Sequence, residues 1–99
     1  MKRRALGAQE ITAALQSLPG WSLREGKLHR ELQLGDFVHA FGFMSSMALV
    51  SESLNHHPEW RNVYGLVVVD LCTHDAQAVT ELDLEWARRA EAVLTRTAP

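Results

Sequence analysis

Three histidines in two short runs are the residues of this chain best suited to chemistry: Glu52-Ser53-Leu54-Asn55-His56-His57-Pro58-Glu59-Trp60 and Cys72-Thr73-His74-Asp75. Imidazole, with an unperturbed pKa of about 6.5, both gives and takes a proton near neutral pH. Paired histidines on a turn, with a third at the end of a strand, have the makings of a proton-transfer site. His56 and His57 fall where a long helix gives way to Pro58, which forces the residue before it into extended backbone. Neighbouring side chains there diverge, and both can line one pocket mouth. The competing role is a helix C-terminal cap, where a cationic histidine favours the dipole; the third histidine close behind weighs against it. His74 follows Thr73 at a strand end, a common place for functional groups, although an exposed loop histidine would look the same.

Two carboxylates accompany them. Asp83 falls inside the apolar arc of the last helix, formed by Leu82, Trp86, Ala90 and Val93, at about 100° per residue. A buried carboxylate without a partner is costly, and a histidine would serve as one. Thr80-Glu81-Leu82-Asp83 also resembles a capping box, with Asp83 reaching back to the Thr80 backbone, and the two roles are compatible. Glu52 stands four residues before His56, within pairing distance across one helical turn or free as a solvated charge. Metal binding is the rival chemistry, since these histidines with Glu52, Asp83 and Cys72 include zinc-ligand types, but no standard zinc spacing is present. No nucleophile elbow occurs, and Cys72 sits in an apolar strand, the setting of an inert thiol.

The elements that must carry these groups are legible from periodicity. Ala8 to Leu18 has helical spacing and stops at Pro19-Gly20. Trp21 to Glu25 and Leu28 to Leu34 read as strands around a turn at Gly26-Lys27, with Arg30 the one break in the inward face. Asp36 is the expected N-cap of a long helix to about Leu54. That helix has two apolar stripes, Phe37, Phe41, Met44 and Ala48 on one side and Ala40, Phe43, Met47, Val50 and Leu54 on the other. An α-helix apolar over so much of its circumference must be covered twice. The expectation is a second subunit against one stripe, taken here as that of Phe43 and Met47, because 99 residues leave little to cover a second face. Val63 and Leu66 to Thr73 are strand-like, split by a turn at Tyr64-Gly65, and Val67, Val69, Leu71 and Thr73 share a face. A last helix runs from about Thr80 to Arg96. The order helix-strand-strand-helix-strand-strand-helix predicts an α+β fold, a four-stranded antiparallel sheet with three helices packed on one face.

Bulk composition narrows the function classes. Ninety-nine residues, 46% hydrophobic, make one domain, residues 1–99, with a core that needs no disulfide. A formal charge of -2 disfavours a nucleic-acid binder and disorder alike. The single Cys72 fits a reducing, cytoplasmic location. Met-Lys-Arg-Arg is followed by no apolar run and does not read as a signal peptide, and no stretch is long enough to span a membrane.

The run Glu52, three residues, His56-His57-Pro58-Glu59-Trp60, then Asn62-Val63-Tyr64, Thr73-His74 and Asp83, resembles the signature of pterin-4a-carbinolamine dehydratases. Gly20-Trp21, Asp36-Phe37 and Ala40-Phe41-Gly42-Phe43-Met44 are similar to further family segments, so the resemblance spans about residues 8 to 95. It implies the same α+β fold, with dimers joined through sheet edges and tetramers through the long helix. It implies dehydration of a 4a-hydroxytetrahydropterin, the product left by aromatic amino acid hydroxylases, to the quinonoid dihydropterin, with no metal and no organic cofactor. By resemblance His57 and His74 are the acid–base pair, His56 is a third wall and potential proton donor, and Asp83 orients a histidine. The pterin is expected against Glu52, Asn55, His56, His57, Cys72, Thr73, His74 and Asp75, with backbone groups near Cys72 and Thr73 bonding the heterocycle. The family often has Asp at Asn55, Ser at Cys72 and, in some members, Glu at Asp75; none of these departures removes a histidine. The alternative function is a non-catalytic oligomeric binding module. Some members of the family pair with a homeodomain transcription factor through the long helix.

Overall fold

The computed structural model describes residues 3–97, so Met1 and Lys2 of the basic opening run lie outside the described residues. The elements are α1 (Ala8–Leu15), β1 (Ser22–Arg24), β2 (Lys27–Gln33), α2 (Phe37–Leu54), β3 (Glu59–Val63), β4 (Leu66–Leu71) and α3 (Glu81–Thr97). Their order is the expected one. All four strands pair antiparallel in one sheet, in the order β1-β2-β4-β3. The fold is α+β, with the helices on one face of the sheet.

Alternation along β4 sends Val67, Val69 and Leu71 into the core, where all three are fully buried. Across the ladder they meet Leu32, Arg30 and Leu28 of β2. Arg30 is tolerated on that inward face because its Nε lies 3.3 Å from the Glu91 carboxylate of α3, which also accepts a hydrogen bond from Trp21 Nε1 at 2.9 Å. At the centre, the Trp86 ring meets Trp21 and Trp60 edge-on, with centroids 6.3 and 6.0 Å apart. Its Nε1 donates to Ser51 Oγ at 2.9 Å, and that hydroxyl donates to Met47 O at 2.7 Å. This bond ties α3 to α2 close to the histidines.

Several boundaries differ from expectation for local reasons. The first helix ends at Leu15 rather than Leu18, because the N–H groups of Gln16, Ser17 and Leu18 tighten onto carbonyls three residues back. The first hairpin turns at Glu25-Gly26, both in the left-handed region, since Arg24 pairs with Lys27. The third strand starts at Glu59, well before Val63. Its inward residues are Trp60 and Asn62, and the Asn62 amide donates to Tyr64 O and Leu66 O, each at 2.8 Å, to hold the turn. Gly65 in that turn abuts α2: a Cβ there would lie 2.8 Å from backbone atoms of both Gly35 and Asp36. The hairpin tip is thereby fixed against the start of the helix that Asp36 caps through His39 N–H.

The two stripes of α2 are disposed opposite to the expected assignment. Ala40, Phe43 and Met47 lie in the core of the subunit itself, so the Phe43 and Met47 stripe is covered within one chain. Phe37, Val38, Phe41 and Leu49 are exposed instead, Val38 at 76% and Phe41 at 54%. Helical-wheel angles identified two apolar sides correctly, but tertiary packing decides which one meets the sheet.

The opposite face of the sheet carries a charged staple. His29 of β2 is bonded through Nδ1 to Asp70 of β4 at 2.8 Å and through Nε2 to Glu31 at 2.9 Å, with Arg24 of β1 nearby. Hydrogen bonds to Asp70 and then Glu31 raise the His29 pKa above its ordinary 6.5. A raised folded pKa means that this contribution to stability is full below about 6.5 and is lost as pH rises through the folded value. The melting temperature gap between the native protein and His29→Gln should therefore be wider at pH 6 than at pH 9. A gap independent of pH would show that the staple contributes through packing alone.

Candidate active site

A terminal turn of α2 aims the first two histidines. Asn55 adopts the left-handed conformation, at φ 51° and ψ 44°, a region asparagine tolerates better than most residues. Asn55 N–H then donates to Glu52 O at 3.2 Å and His56 N–H to Ser51 O at 3.0 Å, the paired bonds of a Schellman ending. The reversal turns His56 inward, where it is 7% exposed. His57 faces out, its Nε2 3.1 Å from the Glu52 carboxylate. Glu52 therefore pairs with His57, five residues on, rather than with His56 across one helical turn.

The third histidine stands on a tight loop. Beyond β4, Thr73 and Ala78 form an isolated antiparallel bridge, with Thr73 N–H donating to Ala78 O at 3.0 Å and Ala78 N–H to Thr73 O at 3.4 Å. His74 to Gln77 make the loop between them, and Gln77 N–H closes on His74 O at 3.1 Å. His74 and Asp75 are exposed at its start.

Asp83 joins the two halves. It is fully buried, and its Oδ1 is hydrogen-bonded to His56 Nε2. Its Oδ2 accepts from the Thr73 hydroxyl at 2.8 Å and from Thr80 N–H at 2.9 Å. The carboxylate can only accept, so Thr73 Oγ1 donates to it and must accept from the Thr80 hydroxyl at 2.7 Å. Thr80 Oγ1 in turn accepts from Leu82 N–H at 3.2 Å, as an N-cap does. Capping and histidine orientation thus coexist in one residue, as the sequence allowed. The partner histidine is His56 rather than either member of the expected acid–base pair.

This arrangement fixes a tautomer. With Nε2–H donated to Asp83, neutral His56 carries a bare Nδ1 and accepts a proton there; its cation presents Nδ1–H and gives one. A cleft of about 590 Å³ is lined by Leu54, Asn55, His56, His57, Thr73, His74, Asp75, Leu82 and Arg3, within the range of small-molecule sites. All three histidines contribute to it. Glu52 reaches it only through His57, and Cys72 does not line it. Burial, and then the Asp83 charge, push the Cys72 thiol pKa up, as suits an unreactive cysteine. Sequence reasoning missed Arg3 and Thr80. Nothing periodic marks Arg3, whereas the pattern around Thr80 reads as a cap but not as a link to Thr73. Among the described residues no three His, Cys, Asp or Glu side chains are grouped to hold a metal ion. None of the helices there is long and apolar enough to cross a membrane.

The fold and the cleft define an α+β protein with a histidine-lined cleft backed by a buried carboxylate. A family profile described as pterin 4 alpha carbinolamine dehydratase matches residues 4–93. Relatives provisionally named pterin-4-alpha-carbinolamine dehydratases include one from Solibacter usitatus, 48% identical over 89% of this chain and 93% of its own. Another, from Rhodopseudomonas palustris, is 49% identical over 97% of each chain. A crystal structure from Brucella melitensis, titled a transcriptional coactivator/pterin dehydratase, superposes with a TM-score of 0.88 at 43% identity, covering 91% of this chain and 98% of that one. The chain belongs to the pterin 4 alpha carbinolamine dehydratase family, whose members are hydro-lyases.

Proposed function

We propose that this chain, as a single domain over residues 1–99, dehydrates 4a-hydroxytetrahydropterin to the quinonoid dihydropterin by general acid–base catalysis. The reading rests above all on the three histidines around one cleft, one of them oriented by buried Asp83. The carbon–oxygen bond at the 4a position breaks, and a proton delivered to the departing oxygen makes water. The proton on the neighbouring ring nitrogen is removed, and its electron pair forms the new double bond. One acid and one base suffice, and no electrons leave the system. His57 and His74 are the exposed pair that hands protons to and from the substrate, and His56 on Asp83 is the third wall. Asn55, Thr73 and Asp75 hold the heterocycle, with Cys72 acting through its backbone and Glu52 through His57. Mixing purified protein with a synthetic 4a-carbinolamine in a stopped-flow instrument tests the reaction. A rate that grows with protein concentration is expected; the uncatalysed rate at every concentration would reject it.

The same reading makes the protein a cytoplasmic homo-oligomer. Phe37 and Phe41 lie ring against ring, centroids 5.4 Å apart, on the uncovered side of α2, and a contiguous exposed apolar face of this kind favours a partner. A second copy is the proposed occupant. Phe41→Asp should lower the mass seen by light scattering at micromolar concentration, whereas a native monomer would defeat the idea. Because Phe43 and Met47 are core residues, aspartate there should unfold the subunit rather than dissociate it. That same α2 face, with the coactivator title of the Brucella structure, favours a second reading as a binding module. A folded oligomer without dehydratase activity would support it.

A further inference from the structure

The segment before α1 is fastened beside the cleft. Leu6 N–H donates to Val79 O at 2.9 Å, and the Leu6 side chain packs on the core. Arg4 makes two hydrogen bonds to the Glu10 carboxylate, at 2.9 and 2.8 Å, and the same carboxylate accepts from Gly7 N–H at 2.8 Å. The Arg4 guanidinium and then the Gly7 amide hold the Glu10 pKa down to about 2, so the clamp stays ionised across the working pH range. Next to this anchored arginine, Arg3 lines the cleft with the three histidines and Asp75. Among the described residues it has no ion-pair or hydrogen-bond partner. Two adjacent arginines thus differ: Arg4 is engaged by the fold, and Arg3 is left to the cleft.

We propose that Arg3 is a specificity-determining residue, selecting pterins whose ring substituent ends in an anion, a phosphate or a carboxylate. This rests on reading the cleft as a pterin site. The elimination itself needs one proton donor and one acceptor, both supplied by histidines, and gives a permanent cation no task. A guanidinium is always charged and offers a planar fork of five donors that matches phosphate and carboxylate. Among the described residues the other charged side chain lining the cleft is Asp75, which has the opposite sign and repels such a group. Preference for an anion therefore depends on Arg3.

Three synthetic 4a-carbinolamines test this: one with a methyl substituent, one with a phosphorylated side chain and one with a carboxylate-ended side chain. The readout is the ratio of kcat/KM for each anionic substrate to that of the methyl compound. In low salt the native ratio should exceed that of Arg3→Gln by about fivefold, the most that an exposed ion pair usually gives. Arg3→Lys should keep part of it, and about 0.5 M salt should erase most of it. The phosphate and carboxylate arms show which anion is preferred. Equilibrium binding of the matching unreactive dihydropterins gives the same ratio without turnover. A protein inactive on all three substrates that still binds the anionic pterins in an Arg3-dependent way would reject the dehydratase reading and keep the Arg3 assignment. Ratios indifferent to Arg3→Gln in both assays would overturn the assignment.

Discussion

His57→Ala and His74→Ala will each slow dehydration by about 10²–10⁴-fold, the usual contribution of one general acid or base. Both side chains are exposed and line the cleft, so their removal leaves the core intact and the loss is read as chemistry rather than unfolding. His57 is steadied by Glu52 at 3.1 Å, and His74 is placed by a loop closed on its own carbonyl. The uncatalysed reaction sets a floor that compresses the measured loss, so rates should be compared after subtracting it. Circular dichroism on the same samples should show native folding. Unchanged rates in both variants would remove these histidines from the mechanism.

Asp83 separates two effects that one residue carries. Asp83→Ala leaves His56 Nε2–H, the Thr73 hydroxyl and Thr80 N–H without their acceptor in a fully buried position. Each orphaned buried donor costs about 1–3 kcal/mol. Against the roughly 5–15 kcal/mol that stabilises a domain, thermal unfolding of this variant should shift far down or the protein should fail to fold. Asp83→Asn behaves differently. Its amide oxygen can keep Thr73 and Thr80, and its NH₂ then faces His56 Nε2. An amide hydrogen there donates to Nε2 and drives the imidazole proton to Nδ1, the opposite tautomer. The fold should survive while activity weakens, because His56 as the third wall then presents Nδ1–H in place of a bare Nδ1 to the bound pterin. Ring nitrogen NMR of His56 reports the tautomer independently of rate. A variant with the inverted tautomer and full activity would reduce Asp83 to a helix cap.

Much of this architecture was legible because local rules and burial agree. The alternation of β4 and the Thr80–Asp83 cap were both readable, and the element order followed from them. The start of the third strand at Glu59 is not legible, because its inward Asn62 bonds its own hairpin carbonyls and so hides as a polar residue in the pattern. The face of α2 that meets the sheet is not legible because both sides are apolar, and only the neighbouring strands and α3 choose between them. At the site, the histidine spacing points to the two runs that the fold brings to one cleft. Their pairing followed from a left-handed Asn55, a backbone feature no composition rule predicts. That reversal gives His56 to Asp83 and leaves His57 to Glu52. Arg3 was invisible for a related reason, since its place depends on Leu6 and Arg4 being tied to Val79 and Glu10.

Nitrogen–proton NMR during titration with an unreactive dihydropterin reads out whether a pterin occupies the three-histidine cleft. The cleft should respond as a unit: ring signals of His56, His57 and His74 should shift together with the backbone amides of Asn55, Thr73 and Asp75. A second cleft of about 530 Å³, between β2 and the end of α3 around Arg30, Gln33 and Thr95, serves as the internal control. Shifts confined to that control cleft, with all three histidines unmoved at saturation, would mean that no pterin binds among the histidines.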